Sequence, residues 1–560
     1  MKGLIDGADA MSDELCDSND TKSWRVYAGT VIILMAVGLA TGLTLRMPTL
    51  LEANDISRWC TVWSLLERGT YAIDDCPWQS RTQDKVLRRD PWWNGENSGK
   101  PGETVEPPKR FYSSKPPMLP TMIAAILYPA RQVVGLPIDH ETETPKIARN
   151  VRVDDPAAPG GVRVELQTPE PHKWSLHVAY LKPVLILLNV VPLAVMLVRY
   201  RRFLDAGDHA DWPWLASLAA FAFGTYLTVF TSTLNNHLVA AWAAFFAFGA
   251  MIQALNDDSV RRWPYLSAGF FSAFCACNEL PAASLAALLG LILFIRSPRL
   301  ALTAFVPAAA VPVAVFFVCQ FAALGTWVPA YAEFGGEAYE YPGSYWTTPL
   351  DLDYFDKHPE PRSVYLAHML VGHHGVFSLS PIFVFAMIGI AARMGDRKGR
   401  ALGLTGATVA IVAAGLVWRL RKDGAIDVAK LDWMLWLVPL WPLFLIPQPV
   451  EELRANRGLK VAAWAAFVLS LVVIGFYGYK TNNYGGSTQG LRWLFWLIPL
   501  WMMFLPDGFR GGAGCITQRR LGYAALGLSF LSVGYGIRSP WTHPWILDAL
   551  DRLGWYVLVR

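Results

Sequence analysis

Residues 25–45 read RVYAGTVIILMAVGLATGLTL, and this run decides the architecture. A bilayer core about 30 Å thick needs about 20 apolar residues in a helix. After its opening arginine the run supplies them with no charged side chain. It is also longer than the apolar stretch of a cleavable signal peptide, and residues 1–24 ahead of it are polar and acidic,. The reading is a cytoplasmic tail over 1–24 and a retained first span over 25–45.

Similar runs recur near 178–198, 213–233, 238–255, 264–278, 281–295, 300–320, 375–392, 401–417, 431–447, 459–478, 491–506 and 521–537. The expected fold is therefore all-α, a polytopic transmembrane helical bundle of about 13 spans. Composition agrees. Of 560 residues, 53% are hydrophobic and 17% charged, against about 25% charged in a typical soluble domain. The net charge of +4 is too small to suggest a nucleic-acid partner. The 24 Trp and 20 Tyr suit two bilayer interfaces.

Basic residues in short loops orient such a bundle. With the N-terminus cytoplasmic, the inner loops hold Arg199, Arg201 and Arg202; Arg261 and Arg262; Arg296 and Arg299; Arg393, Arg397, Lys398 and Arg400; Arg454, Arg457 and Lys460; and Arg510, Arg519 and Arg520. Arg419, Arg421 and Lys422 are the exception. The apolar stretch 118–136 is punctuated by Pro120 and Pro129. Counted as a span it would invert every later loop, so it is read as a helix at the outer interface. The chain then divides into a first outer loop with interfacial helices (46–177), a transmembrane core (178–320), a second outer loop (321–374), C-terminal spans (375–537) and a short outer helix (538–560). Trp541, Trp545 and Trp555 in that last helix read as membrane anchors. Residues 431–445 (LDWMLWLVPLWPLFL) repeat as 491–505 (LRWLFWLIPLWMMFL).

This topology gathers polar side chains on the outer face, and polar residues at membrane depth are costly enough to suggest function. Asp55 and Arg58 in NDISRW lie three apart on an amphipathic helix over 54–68, with Asn54 or Asp55 as its cap, and share one face,. They read as a surface salt bridge or as a site. Tyr112 and Lys115 stand in RFYSSKPPMLP. The proline pair stiffens the chain after Lys115, so the cation sits where it can meet a lipid phosphate or simply snorkel. Asn236 and His237 lie between spans, Glu279 in CNELP, His373 and His374 in VGHHGVFSLSP, and Tyr484 and Arg492 in NNYGGSTQGLRW. Adjacent histidines on a helix diverge by about 100°, so a bidentate metal pair is not expected. Asp351 and Asp353 read as an ordinary acidic loop. Cys60 and Cys76 share one loop and are either a disulfide or two thiols.

Taken together, an Asp-x-x-Arg just after the first span and a Lys-Pro-Pro heading an interfacial helix in the same loop resemble the GT-C membrane glycosyltransferases. The style is closest to the aminoarabinose-transferase and protein O-mannosyltransferase branch. The blocks LNNH (234–237), NELP (278–281), GHHGVFSLSPI (372–382) and NYGGSTQGLRW (483–493) resemble bacterial members of that superfamily. The resemblance implies transfer of a sugar, with inversion, from a polyprenyl-phosphate donor to a glycan, lipid or protein acceptor on the extracytoplasmic face of the plasma membrane. It implies Asp55 as catalytic base, Arg58 and Lys115 on the donor phosphate, and Tyr112, Asn236, His237, Glu279, His374, Tyr484 and Arg492 as candidate substrate contacts. Beside Arg58, Asp55 is expected to stay ionised. No cofactor is firmly implied; a divalent cation is compatible, but no metal ligands are assigned. One departure is Ile56, where the aminoarabinose branch carries a second acid. A transporter or flippase of a lipid-linked solute is the alternative, but its ionisable residues would lie near mid-membrane on broken helices.

Overall fold

The computed structural model describes residues 2–93, 106–144, 149–154, 156–157, 162–167, 172–207, 209–257, 261–333, 335–347, 360–395, 405 and 456–555. Helix makes up 68% of the structure, and the few strands only fasten the first large loop. Among the described residues, five helices are long and apolar enough to cross a membrane: Ser23–Arg46, His177–Ala206, Asn236–Asn256, Pro298–Leu324 and Arg457–Lys480. In Ser23–Arg46 and Pro298–Leu324, only 28% of the most apolar stretch is buried within the protein. Leu34, Met35, Val311 and Val318 point outward along them. Water would penalise such surfaces, whereas hydrocarbon accepts them, and a helix satisfies its own backbone polar groups there. The chain is a helical membrane protein.

The other expected spans differ in instructive ways. The 118–136 stretch is a helix, Met118–Val134, as expected, ended by Gly135 in the left-handed region. The 264–278 and 281–295 runs are helices at Arg262–Asn278 and Ala283–Arg296. The 521–537 run lies in Ile516–Tyr535. The 375–392 run is helical only over Val376–Leu379 and Ile382–Met394, with Pro381 at the break. The 213–233 run stops being α-helical at Phe223 and resumes as a 3-10 turn over Val229–Ser232. Its hydroxyls explain the break. Thr228 donates to Ala222 O (2.7 Å) and Thr231 to Thr228 O (2.7 Å), competing with the helical ladder. The 491–505 repeat copy is likewise segmented, a 3-10 turn over Arg492–Leu497 and a helix over Ile498–Met502, with another at Leu505–Phe509. Pro499 and Pro506 each begin a short helix because they lack an N–H to continue the previous one. The runs at 401–417 (residue 405 apart) and 431–447, the first repeat copy and Asp351 and Asp353 lie outside the described residues.

The first large loop is richer than interfacial helices alone. After Ala53–Glu67, strand Lys85–Arg89 pairs antiparallel with Lys109–Ser113. Two further ladders, Glu141–Thr144 with His172–Ser175 and Arg149–Asp154 with Val162–Gln167, follow the period-2 alternation of NVRVD and VRVEL,. Glu67 clamps this loop by accepting two bonds from Arg131 (2.7 and 2.8 Å) and one from Ile138 N (2.9 Å). The second large loop packs on the first, with Trp346 donating to Gln83 O at 3.2 Å. Cys60 and Cys76 are buried, neighbouring thiols that are not bonded.

Deep in the bundle, two glycines set a helix crossing. A Cβ on Gly389 would meet Phe504 O at 1.9 Å, and one on Gly508 would meet Phe385 O at 1.8 Å. The backbones touch because neither residue has a side chain, the small-residue packing of membrane helices. Close by, Arg393 binds Asp507 through two bonds of 2.6 and 2.9 Å. Gly508→Ala should destabilise the protein by about 1–3 kcal/mol, read as a lower thermal unfolding midpoint in detergent. An unchanged midpoint would show that this crossing can open at no cost.

Candidate active site

The site begins in the first turn of the Ala53–Glu67 helix. That helix starts two residues earlier than a cap at Asn54 would require. Glu52 occupies the cap position without a side-chain bond. Asp55 therefore stands inside the first turn, near the positive helix terminus. It is 2% exposed, as is Arg58. The two do not form the expected ion pair: no contact within 4.0 Å joins them. Asp55 Oδ2 accepts from Trp541 Nε1 at 3.1 Å. Its Oδ1 is buried and has no hydrogen-bond partner among the described residues. Arg58 donates through Nη1 to Asn54 O (3.0 Å) and through Nη2 to Asn236 Oδ1.

Asn236 carries the site to the next helices. Its neighbour Asn235 caps the Asn236–Asn256 helix, accepting from Leu238 N at 2.8 Å, which leaves the Asn236 side chain for tertiary contacts. Asn236 Nδ2 donates to Asn278 O (2.7 Å) and Glu279 Oε1 (2.5 Å). Glu279 also contacts His237 and accepts from Tyr477 OH at 3.4 Å. A chain of polar contacts thus runs from the Ala53–Glu67 helix to the adjoining ends of three others.

Lys115 reaches the group through strand register. Lys85 pairs with Ser113, so Asp84 and Ser114 lie just beyond the ladder and bond through Ser114 N and Asp84 O at 3.1 Å. That juxtaposition sets Lys115 Nζ 3.0 Å from an Asp84 carboxylate oxygen. Ser57, between Asp55 and Arg58, donates to Asp84 O and contacts Ser113 Oγ at 2.6 Å. Lys115 and Tyr112 also line a crevice with Thr61, Tyr71, Gln320 and Leu324.

Arg492 completes the cluster. Its guanidinium stacks over Trp541, 5.0 Å from the ring centroid. Its Nε and Nη1 are buried without a hydrogen-bond partner among the described residues. Four positive-φ residues, Tyr484, Gly485, Gly486 and Gly490, shape the turn before it. A Cβ on Gly485 would come 3.3 Å from Arg492 Nε, so glycine there permits the close approach.

His374 and Tyr484 belong to a second cluster. Their rings stack at 4.7 Å, His374 Nδ1 lies 2.5 Å from His373 Nδ1, and the Tyr484 hydroxyl contacts Glu360. Burial pushes the His373 imidazole down to about 3, and holds His374 well below its usual value.

Two residues of the main site carry no sequence signal. Asp84 sits in an unremarkable polar stretch. Trp541, read as a membrane anchor, is instead 5% exposed and turned inward. Trp545 likewise turns in to donate to Ser532 Oγ at 2.9 Å, whereas Trp555 is 77% exposed and fits the anchor reading.

The electrostatics also depart from expectation. Burial pushes the Asp55 carboxyl up to about 8, more than Arg58 and the Trp541 bond pull it down. Arg58 is lowered by burial to about 10 but stays cationic at neutral pH. Lys115 is lowered by burial, with Asp84 opposing. No protein-family model matches the sequence, and no curated protein matches it.

An acid whose folded value lies above its unfolded one costs stability as pH climbs between the two. Wild type therefore loses stability relative to Asp55→Asn from about pH 4 to about pH 8,. The difference in unfolding midpoint, variant minus wild type, should grow with pH across that window. A difference independent of pH would mean Asp55 ionises like a solvated carboxylate.

Proposed function

We propose that this protein is a membrane glycosyltransferase of GT-C type, with about 13 spans, an N-terminus in the cytoplasm and its site on the extracytoplasmic face of the plasma membrane. It takes a sugar from a polyprenyl-phosphate donor and passes it to an acceptor hydroxyl. The observation that carries the reading is a buried carboxylate oxygen, Asp55 Oδ1, beside Arg492, whose Nε and Nη1 are also buried, all without a hydrogen-bond partner among the described residues. A general base needs an oxygen available to a substrate proton. A phosphate needs donors that the protein has not already used.

In this reading the acceptor oxygen attacks the anomeric carbon and its proton passes to Asp55. The bond from that carbon to the phosphate oxygen breaks, and the electron pair leaves on the polyprenyl phosphate. Arg492 and Arg58 stabilise the charge that gathers there, with Lys115 held nearby by Asp84. Trp541 orients Asp55 and stacks on Arg492, so one side chain aligns base and cation. Glu279, Asn236 and His237 face the sugar. The sidedness is supported by the basic residues at the other helix ends. Arg25 binds Asp211 at 2.5 Å, Arg201 meets Thr30, Arg296 meets Asp257 O, and the Arg457–Lys480 helix starts against Asn256.

The test is a transfer assay with purified protein and a panel of polyprenyl-phosphate sugars. Asp55→Asn should lower the rate by about 100-fold or more, and Arg492→Gln should lower kcat/KM by a comparable factor. Equal product from wild type and Asp55→Asn would remove Asp55 from its role. Movement of the lipid between leaflets without a glycosidic product would favour the flippase.

The profile of kcat/KM reports the free enzyme. Only ionised Asp55 accepts a proton, so kcat/KM should rise with pH and level off above about 8. Trp541→Phe removes a bond that favours the ionised form, so it should move that limb upward. A limb unmoved in Trp541→Phe, or a profile flat from about pH 6 to pH 10, would exclude Asp55 as the base.

A further inference from the structure

The second polar cluster is not used by the transfer chemistry, yet it is built with care. Glu360 stands just before the Arg362–Leu370 helix, His368 lies near the end of that helix, and His373 is in the turn that follows. One ligand atom from each lies within 4.8 Å of the other two. The turn exists because of Gly372, where a Cβ would meet His368 Nδ1 at 2.2 Å. Without that glycine the chain could not fold back over His368. As it is, the His368 and His373 rings stack with centroids 4.0 Å apart.

We propose that Glu360, His368 and His373 form a binding site for a zinc ion, beside the 481–493 loop, whose Tyr484 contacts Glu360. Two imidazoles and a carboxylate are a zinc donor set, with water as the fourth ligand. Bonds of about 2.1 Å in a tetrahedron place ligand atoms about 3.4 Å apart, so separations of up to 4.8 Å need to shorten by at most about 1.4 Å. His373 directs its Nδ1 to His374, so coordination uses Nε2. The Tyr484 hydroxyl on Glu360 and His374 on His373 supply the outer contacts that orient ligands in metal sites. Glu360 and His368 are only half-buried, which gives the ion an entry route. The adjacent histidines do not chelate together. His373 pairs instead with His368 across the turn, and His374 supports it.

The test uses the full chain purified in detergent, with zinc as the probe. Metal analysis should find about one zinc per chain, and His368→Asn/His373→Asn should lower that content at least about 10-fold. Chelator should lower the wild-type unfolding midpoint, zinc should restore it, and the variant should respond to neither. Cobalt substituted into the wild type should show the visible absorption of a tetrahedral site. The wild-type chelation and re-addition arm decides the matter even if the variant does not fold. Substoichiometric zinc with no shift of the wild-type midpoint on adding zinc would overturn the proposal, as would a variant that keeps full zinc content. A protein that binds no zinc here but transfers sugar would leave the Asp55 reading intact, so the two can fail separately.

Discussion

Desolvation of ionisable groups at one end of the bundle governs everything else in this molecule. A carboxylate in bulk water would titrate near 4. Asp55 sits instead where helix ends, the Lys85–Ser113 ladder and Trp541 exclude water, and burial outweighs the nearby arginine. The surrounding architecture follows from the need to hold that charge. Helix ends at Asn236, Asn278 and Lys480 meet at one level. There Asn236, Glu279 and Tyr477 bond to one another, as buried polar groups do,. Each group that lacks a partner then stands out, and the two that matter, Asp55 Oδ1 and the Arg492 nitrogens, flank the same tryptophan.

The two large loops are the second part of that construction. Each is stapled to the bundle or to the other. Glu67 and Arg131 pin the first helix to the Met118–Val134 helix, Trp346 pins the second loop to the strand ladder, and Tyr339 and Tyr112 are buried in one small apolar cluster between them. Lys115 is positioned by this packing and not by the membrane interface. It is a lysine in an ion pair, which the snorkelling alternative did not anticipate.

Much of the site was legible in the sequence, and the limits of that legibility are physical. Asp55 and Arg58 stood out because a three-residue spacing on an amphipathic helix puts two charges on one face. Asn236 and Glu279 stood out because polar residues at the ends of apolar helices need a reason to be there. Their contacts were not legible. Whether Asp55 pairs with Arg58 or with a tryptophan 486 positions away depends on which chain end folds back over the site, and local spacing carries no information on that. Asp84 was missed for the same reason, since strand register alone brings it to Lys115. The apolar runs overstated continuity. The threonines of 225–233 and the prolines of 499 and 506 each interrupt a helix that hydropathy alone reads through. The 149–167 strands are hard to read because their period-2 alternation is short and set in a polar stretch,.

The most consequential misreading concerned ionisation, and it also bears on why the site is arranged as it is. An Asp three residues from an Arg was expected to remain charged, because Coulomb attraction at short range favours the ionised form. The attraction is present, but Arg58 is itself buried and turned toward Asn236, so it compensates the carboxylate only in part. A base fully paired with its own arginine would be a poor one, because the same contact that keeps it ionised would oppose the proton it must receive. Leaving one carboxylate oxygen without a protein partner costs stability in the empty protein. For the transfer proposed above, it also leaves a group whose proton affinity suits reaction near neutral pH, with one oxygen that a substrate hydroxyl can reach. The same trade is visible at Arg492, stacked on an indole and not paired with an acid: a guanidinium already satisfied by a carboxylate would have little to offer an arriving phosphate.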